Sequence, residues 1–304
     1  MEIEIVQSST GASLNMYKFL PKGKIRGIIQ VSHGMVEHAG RYKRFAQKCV
    51  DAGYGVFAHD IRGHGRTVAK NSSLGVFGPV NGLGLVIEDI NFVIEHLTEK
   101  HGNLPKICFG HSLGAMLALA YCVKYPSKVS ALVCWNKQEA GLLAKLGQLI
   151  LILEKQIRSP VKPSLVARKI SYEAWNSKFR PNRTPNDWIS QDQKEVDIYT
   201  ADPLCGFDAS ISLWLDVLKG FFHTGKINVL KNLPRDLPIH IFGGKKDPST
   251  NYGLDVKKFE SKLRLIGMKD ITCEVLPDTR HETLNELNRD EFISRFLKWL
   301  SVRF

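Results

Sequence analysis

A serine framed by two glycines, Gly110-His111-Ser112-Leu113-Gly114, constrains this 304-residue chain more than any other feature. Residues 104–109 before it form a short apolar run that reads as a buried strand. Residues 115–125 after it are rich in Ala and Leu and read as a helix. A direct strand-to-helix turn brings backbone so close that side chains flanking the serine would collide. Gly110 and Gly114 remove them, and the turn lifts the Ser112 hydroxyl out of the sheet at a helix N-terminus. Ser112 is therefore the candidate nucleophile.

The surrounding pattern sets the architecture. Strands are expected at residues 27–32, 54–59 and 129–135, with helices at 41–52 and 86–101 between them. Repeated strand–helix–strand units imply a parallel sheet covered on both faces. Strand character disappears between residues 137 and 228. That segment holds a strongly apolar stretch at 142–157 and a Trp- and Pro-rich stretch at 172–188. Alternation then resumes, with strands at 238–242 and 271–276 and helices near 256–267 and 290–302. The expected organisation is a core of 1–136 and 229–304, interrupted by a helical insertion, 137–228, over the C-terminal edge of the sheet. Open α/β sheets place their sites at that edge.

A serine hydroxyl needs a histidine base, and the base needs an orienting carboxylate. In strand–turn–helix hydrolases these follow the serine in the order acid, then histidine. Only His223, His240 and His281 follow Ser112. His240 falls inside a strand and His223 at a helix end, whereas His281 sits in a loop just after a strand. Asp247 follows the preceding strand and is the expected acid; Asp278 is its nearest rival. The oxyanion formed on an attacked carbonyl needs donors. The backbone N–H of Leu113 is one, and the N–H of Met35, after the close-approach residue Gly34, is the other. His33, His38, His59 and His64 lack metal-site spacing, so neither metal nor cofactor is expected.

Composition narrows the setting. Hydrophobic content of 43% and charged content of 24% are ordinary for a globular protein. The N-terminus reads as an edge strand rather than a signal peptide, and the longest apolar run is too short to span a bilayer. A cytoplasmic location is expected, with six scattered cysteines as free thiols. A net charge of +12 would favour weak peripheral contact with anionic membranes, and no nucleic-acid motif is present.

Taken in order, His33-Gly34-Met35-Val36-Glu37-His38 with Arg41-Tyr42, Asp60-Ile61-Arg62-Gly63-His64-Gly65, the Ser112 pentapeptide, Asp247-Pro248 and Arg280-His281-Glu282 resemble one family. It is the monoacylglycerol lipase and lysophospholipase group of α/β-hydrolases, also called the serine aminopeptidase-like hydrolases. The stretches 179–188 and 202–206 look like its bacterial members. The resemblance covers nearly the whole chain. It implies an α/β-hydrolase fold with a helical cap, and a serine esterase acting on small lipids. It also places nucleophile, acid and base on Ser112, Asp247 and His281 and the oxyanion donors on Met35 and Leu113. Met35, His111, Trp135, Leu149 and Cys205 are expected to line the substrate pocket. Trp135 and Met35 depart from the smaller residues frequent in relatives. An amidase or aminopeptidase on the same fold, and a non-catalytic receptor, are the competing readings.

Overall fold

The computed structural model describes residues 1–304. One sheet holds β1 (Glu2–Gln7), β2 (Ala12–Phe19), β3 (Gly27–Ser32), β4 (Tyr54–His59), β5 (Val68–Ala69), β6 (Lys106–His111), β7 (Ala131–Trp135), β8 (Ile239–Gly244) and β9 (Ile271–Leu276). Its order is β1-β2-β4-β3-β6-β7-β8-β9, with β5 beside β2. The pairs made by β1, β2 and β5 are antiparallel. Every pair from β4 to β9 is parallel. Strands β3, β4, β6, β7 and β8 are buried at every residue. Such strands need cover on both faces, and two hydrophobic clusters supply it.

Helices α1 (Lys43–Asp51), α2 (Gly82–His101) and α3 (Leu113–Lys124) alternate with the first strands. After β7 come α4 (Leu142–Ile157), α5 (Ala174–Asn176), α6 (Gln193–Ala201), α7 (Ile211–Thr224) and α8 (Ile227–Leu230), with no strand among them. Helices α9 (Leu254–Leu265) and α10 (Arg289–Ser301) close the chain. Phe45 and Cys49 of α1 join Phe292, Phe296 and Trp299 of α10 on one face of the sheet. Residues of α2, α3 and α9 fill the other face, where Leu213, Val217 and Phe221 of α7 join them. The 137–228 segment thus shares the main core through α7. Gly220 permits the close approach, since a Cβ there would lie 2.4 Å from the Met116 sulfur. No helix is long and apolar enough to cross a membrane.

Register decides where the site forms. Ser32 pairs with Gly110, Gly110 with Cys134, and Cys134 with Ile241. The loops leaving β3, β6, β7 and β8 therefore emerge side by side at one sheet edge. These loops carry Gly34–Met35, Ser112, Asn136 and Asp247.

Candidate active site

The turn at Ser112 is as tight as its glycines require. Ser112 sits at φ 54°, ψ −115°, a conformation that L-residues rarely adopt. A Cβ on Gly110 would lie 2.1 Å from the Gly114 carbonyl oxygen, and one on Gly114 would lie 1.9 Å from that of Ser32. Strain of this kind costs about 1–3 kcal/mol and persists only where the surroundings over-determine it. The Ser112 N–H helps to hold it by donating to the Trp135 carbonyl at 2.9 Å.

Asp247 and His281 meet beside it. The His281 Nδ1–H donates to Asp247 Oδ2 at 2.8 Å, because a carboxylate can only accept. Asp247 is fully buried and also accepts from the Ser249 N–H, the Ser249 hydroxyl and Asn136 Nδ2. Burial pushes its carboxyl up, but the His281 charge and these hydrogen bonds outweigh it and hold it below the ordinary value. Gly244 lets the loop that carries His281 approach β8, since a Cβ there would lie 2.2 Å from the Thr279 carbonyl oxygen. The Trp188 ring lies against His281, with centroids 4.7 Å apart. Ser112 and His281 face one cavity, and no hydrogen bond joins them in this geometry. Serine–base contacts are often loose without substrate and tighten in the bound complex.

The loop after β3 completes the cluster. His33 is buried and neutral: its Nε2 accepts from the Ile61 N–H at 2.9 Å, and its Nδ1–H donates to the Gly34 carbonyl at 2.7 Å. Burial first, then nearby His64, holds its pKa well down. The Gly34–Met35 peptide is planar, so pinning the Gly34 carbonyl on one side aims the Met35 N–H to the other. That N–H has no acceptor within the protein. The Leu113 N–H opens α3, where the first turn has no intrahelical acceptor.

The cavity has a volume of about 530 Å³. Nineteen of its 34 lining residues are hydrophobic, four are Asp or Glu, and none is Lys or Arg. Helix α4 presents Leu142, Leu143, Gly147 and Leu151 to it. Leu142 and Leu143 are also more than 80% exposed, which puts them at the mouth.

Of the residues expected to line the pocket, Met35 and His111 are there, alongside Ser112, Leu113 and His281. Three expected lining residues are not, and each is a correction. Trp135 points into the core, stacked on Phe242 at 5.0 Å with its indole N–H on His240 Nδ1. As a β7 residue it projects from the sheet face, so its bulk is absorbed by packing. Leu149 is 59% exposed on the outer face of α4. Cys205 packs with Trp188, Ile189 and Tyr199 within the 137–228 segment. Asp278, the rival acid, lies on the surface paired with Lys246.

Asn136 and Ser249, which touch Asp247, were not expected. The motif spacing carries no signal for either; Asn136 at φ 53° is legible only once β7 is known to end there. Glu37, Arg41 and Glu282 form a buried ion network behind the site. His38, Asp202 and Cys205 are the groups whose potential ligand atoms cluster within 4.8 Å. There the imidazole and carboxylate bond each other at 2.9 Å and tie the β3 loop to the 137–228 segment.

The family model described as Serine aminopeptidase, S33 matches residues 23–288. A monoacylglycerol lipase of Mycolicibacterium smegmatis is 26% identical to the chain, over 90% of this chain and 88% of that one. The Homo sapiens monoglyceride lipase is 27% identical, over 88% and 83% respectively. Among solved structures, a highly thermostable carboxyl esterase from Bacillus coagulans in complex with glycerol superposes with a TM-score of 0.91 at 26% identity. The match covers 99% of this chain and 98% of that one.

Proposed function

The chain belongs to the serine aminopeptidase S33 family of α/β-hydrolases, and on that premise we propose that it cleaves uncharged small lipid esters, monoacylglycerols foremost, through an acyl-enzyme on Ser112. His281 takes the Ser112 proton as the oxygen attacks the ester carbonyl. The N–H groups of Met35 and Leu113 receive the oxyanion. Collapse breaks the ester C–O bond, and His281 returns the proton to the departing alcohol. Water then attacks the acyl-enzyme by the same route, releasing the fatty acid. Asp247 keeps the His281 proton on Nδ1 and stabilises the imidazolium. Segment 137–228 acts as the cap, with α4 and α7 enclosing the acyl chain.

The cavity's charge balance carries the choice of substrate. It pairs an apolar wall with carboxylates and offers no lysine or arginine. Arg41, Lys137 and Lys262 are committed to Glu37, Glu282 and Glu139 behind the wall. A phosphate drawn in would lose hydration beside these carboxylates and meet no lysine or arginine, which is strongly unfavourable. Turnover of 1-oleoylglycerol and oleoyl lysophosphatidate isolates this, since both share acyl chain and glycerol. The expected kcat/KM for the glyceride is higher by at least about 100-fold, the scale of a few kcal/mol in an unpaired charge. Equal turnover of the phosphate, or faster turnover of an aminoacyl amide than of either, would overturn the reading.

Helix α4 suggests how such a substrate arrives. Leu149, Leu153 and Ile157 are exposed on its outer face, and Lys145 and Lys155 are exposed on the same helix. An apolar strip edged by lysines suits the interface of an anionic bilayer. Replacing Leu149, Leu153 and Ile157 together by serine is expected to lower the partition constant onto phosphatidylglycerol vesicles, read by sedimentation, by about 100-fold or more, given about 1–2 kcal/mol for each half-buried apolar side chain. Unchanged sedimentation would remove the membrane role.

A further inference from the structure

We propose that His111 is a positioning residue that locks the base loop to the oxyanion loop across the nucleophile turn. The inference rests on the reading of Ser112 and His281 as nucleophile and base. Its ground is a buried junction in which the three parts of the site meet through one ring.

His111 precedes Ser112 in the chain and is buried. Its Nε2 lies 3.0 Å from the backbone carbonyl of His281, so that nitrogen carries a proton and donates it. Its Nδ1 faces Glu37 Oε1 at 3.7 Å. Glu37 Oε1 also accepts from the Gly34 N–H at 2.6 Å and from the Tyr42 hydroxyl at 2.9 Å. The ring therefore spans from the residue carrying the base to the carboxylate that anchors the oxyanion loop. Gly34 is required by this packing: a Cβ there would lie 2.7 Å from Glu37 Oε1 and 3.2 Å from His111 Nδ1.

The charge count gives the ring a second task. Glu37 and Glu282 are both buried, and Arg41 is the cation bonded to both, at 2.5 Å and 2.6 Å. Two carboxylates and one guanidinium leave a negative charge in the interior. An imidazolium at His111 balances it, with Nε2 bonded to the His281 carbonyl and Nδ1 paired with Glu37 at ion-pair distance. The groups facing the ring are Glu37 and Tyr42 from the oxyanion side and His281 and Glu282 from the base loop. Burial favours the neutral ring, but the Glu37 and Glu282 charges and the His281 carbonyl outweigh it and raise the pKa. A raised value means the proton is held at neutral pH and lost as pH rises through the folded-state value. Above that point the junction carries an unbalanced charge and the two loops lose their tie.

Steady-state kinetics of two variants from pH 5 to 10 test this. His111→Ala removes both contacts. His111→Gln keeps an N–H donor near the Nε2 position but cannot be charged. For His111→Ala, kcat is expected to fall about 100-fold with KM nearly unchanged, the scale of a 1 Å misplacement. His111→Gln should recover about tenfold of that, and it should lack the alkaline fall in kcat seen in the wild type. If His111→Ala does not fold, the His111→Gln profile and the titration of the wild-type His111 ring by NMR still decide. An alkaline limb retained in His111→Gln, a wild-type ring that titrates below free histidine, or kcat within twofold of wild type in both variants overturns the proposal. Labelling of the wild type by a fluorophosphonate keeps the two readings apart. A labelled Ser112 with indifferent His111 variants sinks only this inference, whereas an unlabelled Ser112 sinks the nucleophile itself.

Discussion

Ser112→Ala is expected to lower kcat on 1-oleoylglycerol by about 10⁵-fold or more, the scale at which nucleophile removal leaves only binding and oxyanion stabilisation. It should also abolish labelling by a fluorophosphonate. KM should change little, because the cavity wall that holds the acyl chain is untouched. The strain at φ 54° separates this loss from unfolding. Ser112→Gly removes the same hydroxyl but suits that backbone, so it should be equally inactive and more stable than Ser112→Ala by about 1 kcal/mol. Activity within tenfold of wild type in either variant would mean that another group attacks the ester.

The parts of this site that could be read from the chain are those in which backbone geometry forces a residue type. Gly110 and Gly114 are dictated by contacts of 2.1 Å and 1.9 Å, so the turn and the residue it displays were legible. Asp247 and His281 follow β8 and β9, and strand order puts both loops at the edge where β6 ends. Side-chain direction within a buried strand was less legible. Trp135 alternates to a sheet face and disappears among Phe109, Phe242 and Phe296. Its place at the end of β7, where relatives carry smaller residues, suggests a pocket role that the alternation of the strand removes. Leu149 and Leu151 differ by two residues on α4, so one faces solvent and the other the cavity. A run of Leu and Ile on both faces hides which is which until the partner helix α7 is placed. Asn136 and Ser249 were least legible, because each acts through a contact between loops distant in sequence.

Asp247→Asn is expected to lower kcat by about 10⁴-fold while leaving the fold intact, and the reason lies in the donors around that carboxylate. Oδ1 accepts from the Ser249 N–H and hydroxyl; Oδ2 accepts from His281 Nδ1–H and Asn136 Nδ2. An amide offers one accepting oxygen and one donating nitrogen. If the nitrogen took the Oδ1 place it would oppose a backbone N–H, which cannot reverse. The amide oxygen therefore settles toward Ser249, and the NH₂ faces His281. Nδ1 must then accept, which moves the imidazole proton to Nε2, toward Ser112. A base already carrying its proton there cannot take another from the serine. Nitrogen-15 NMR of His281 should report that proton on Nε2 in the variant and on Nδ1 in the wild type. The stability effect has the opposite pH sense to that at His111. The Asp247 carboxyl is held below its ordinary value, so its contribution is present above the unfolded-state pKa and lost as pH falls through the folded one. The stability gap between Asp247→Asn and wild type should accordingly be widest near neutral pH and narrow below about pH 4, where unfolded aspartate titrates. A kcat within tenfold of wild type, with the proton still on Nδ1, would show that Ser249, 2.9 Å from the same nitrogen, suffices to orient the base.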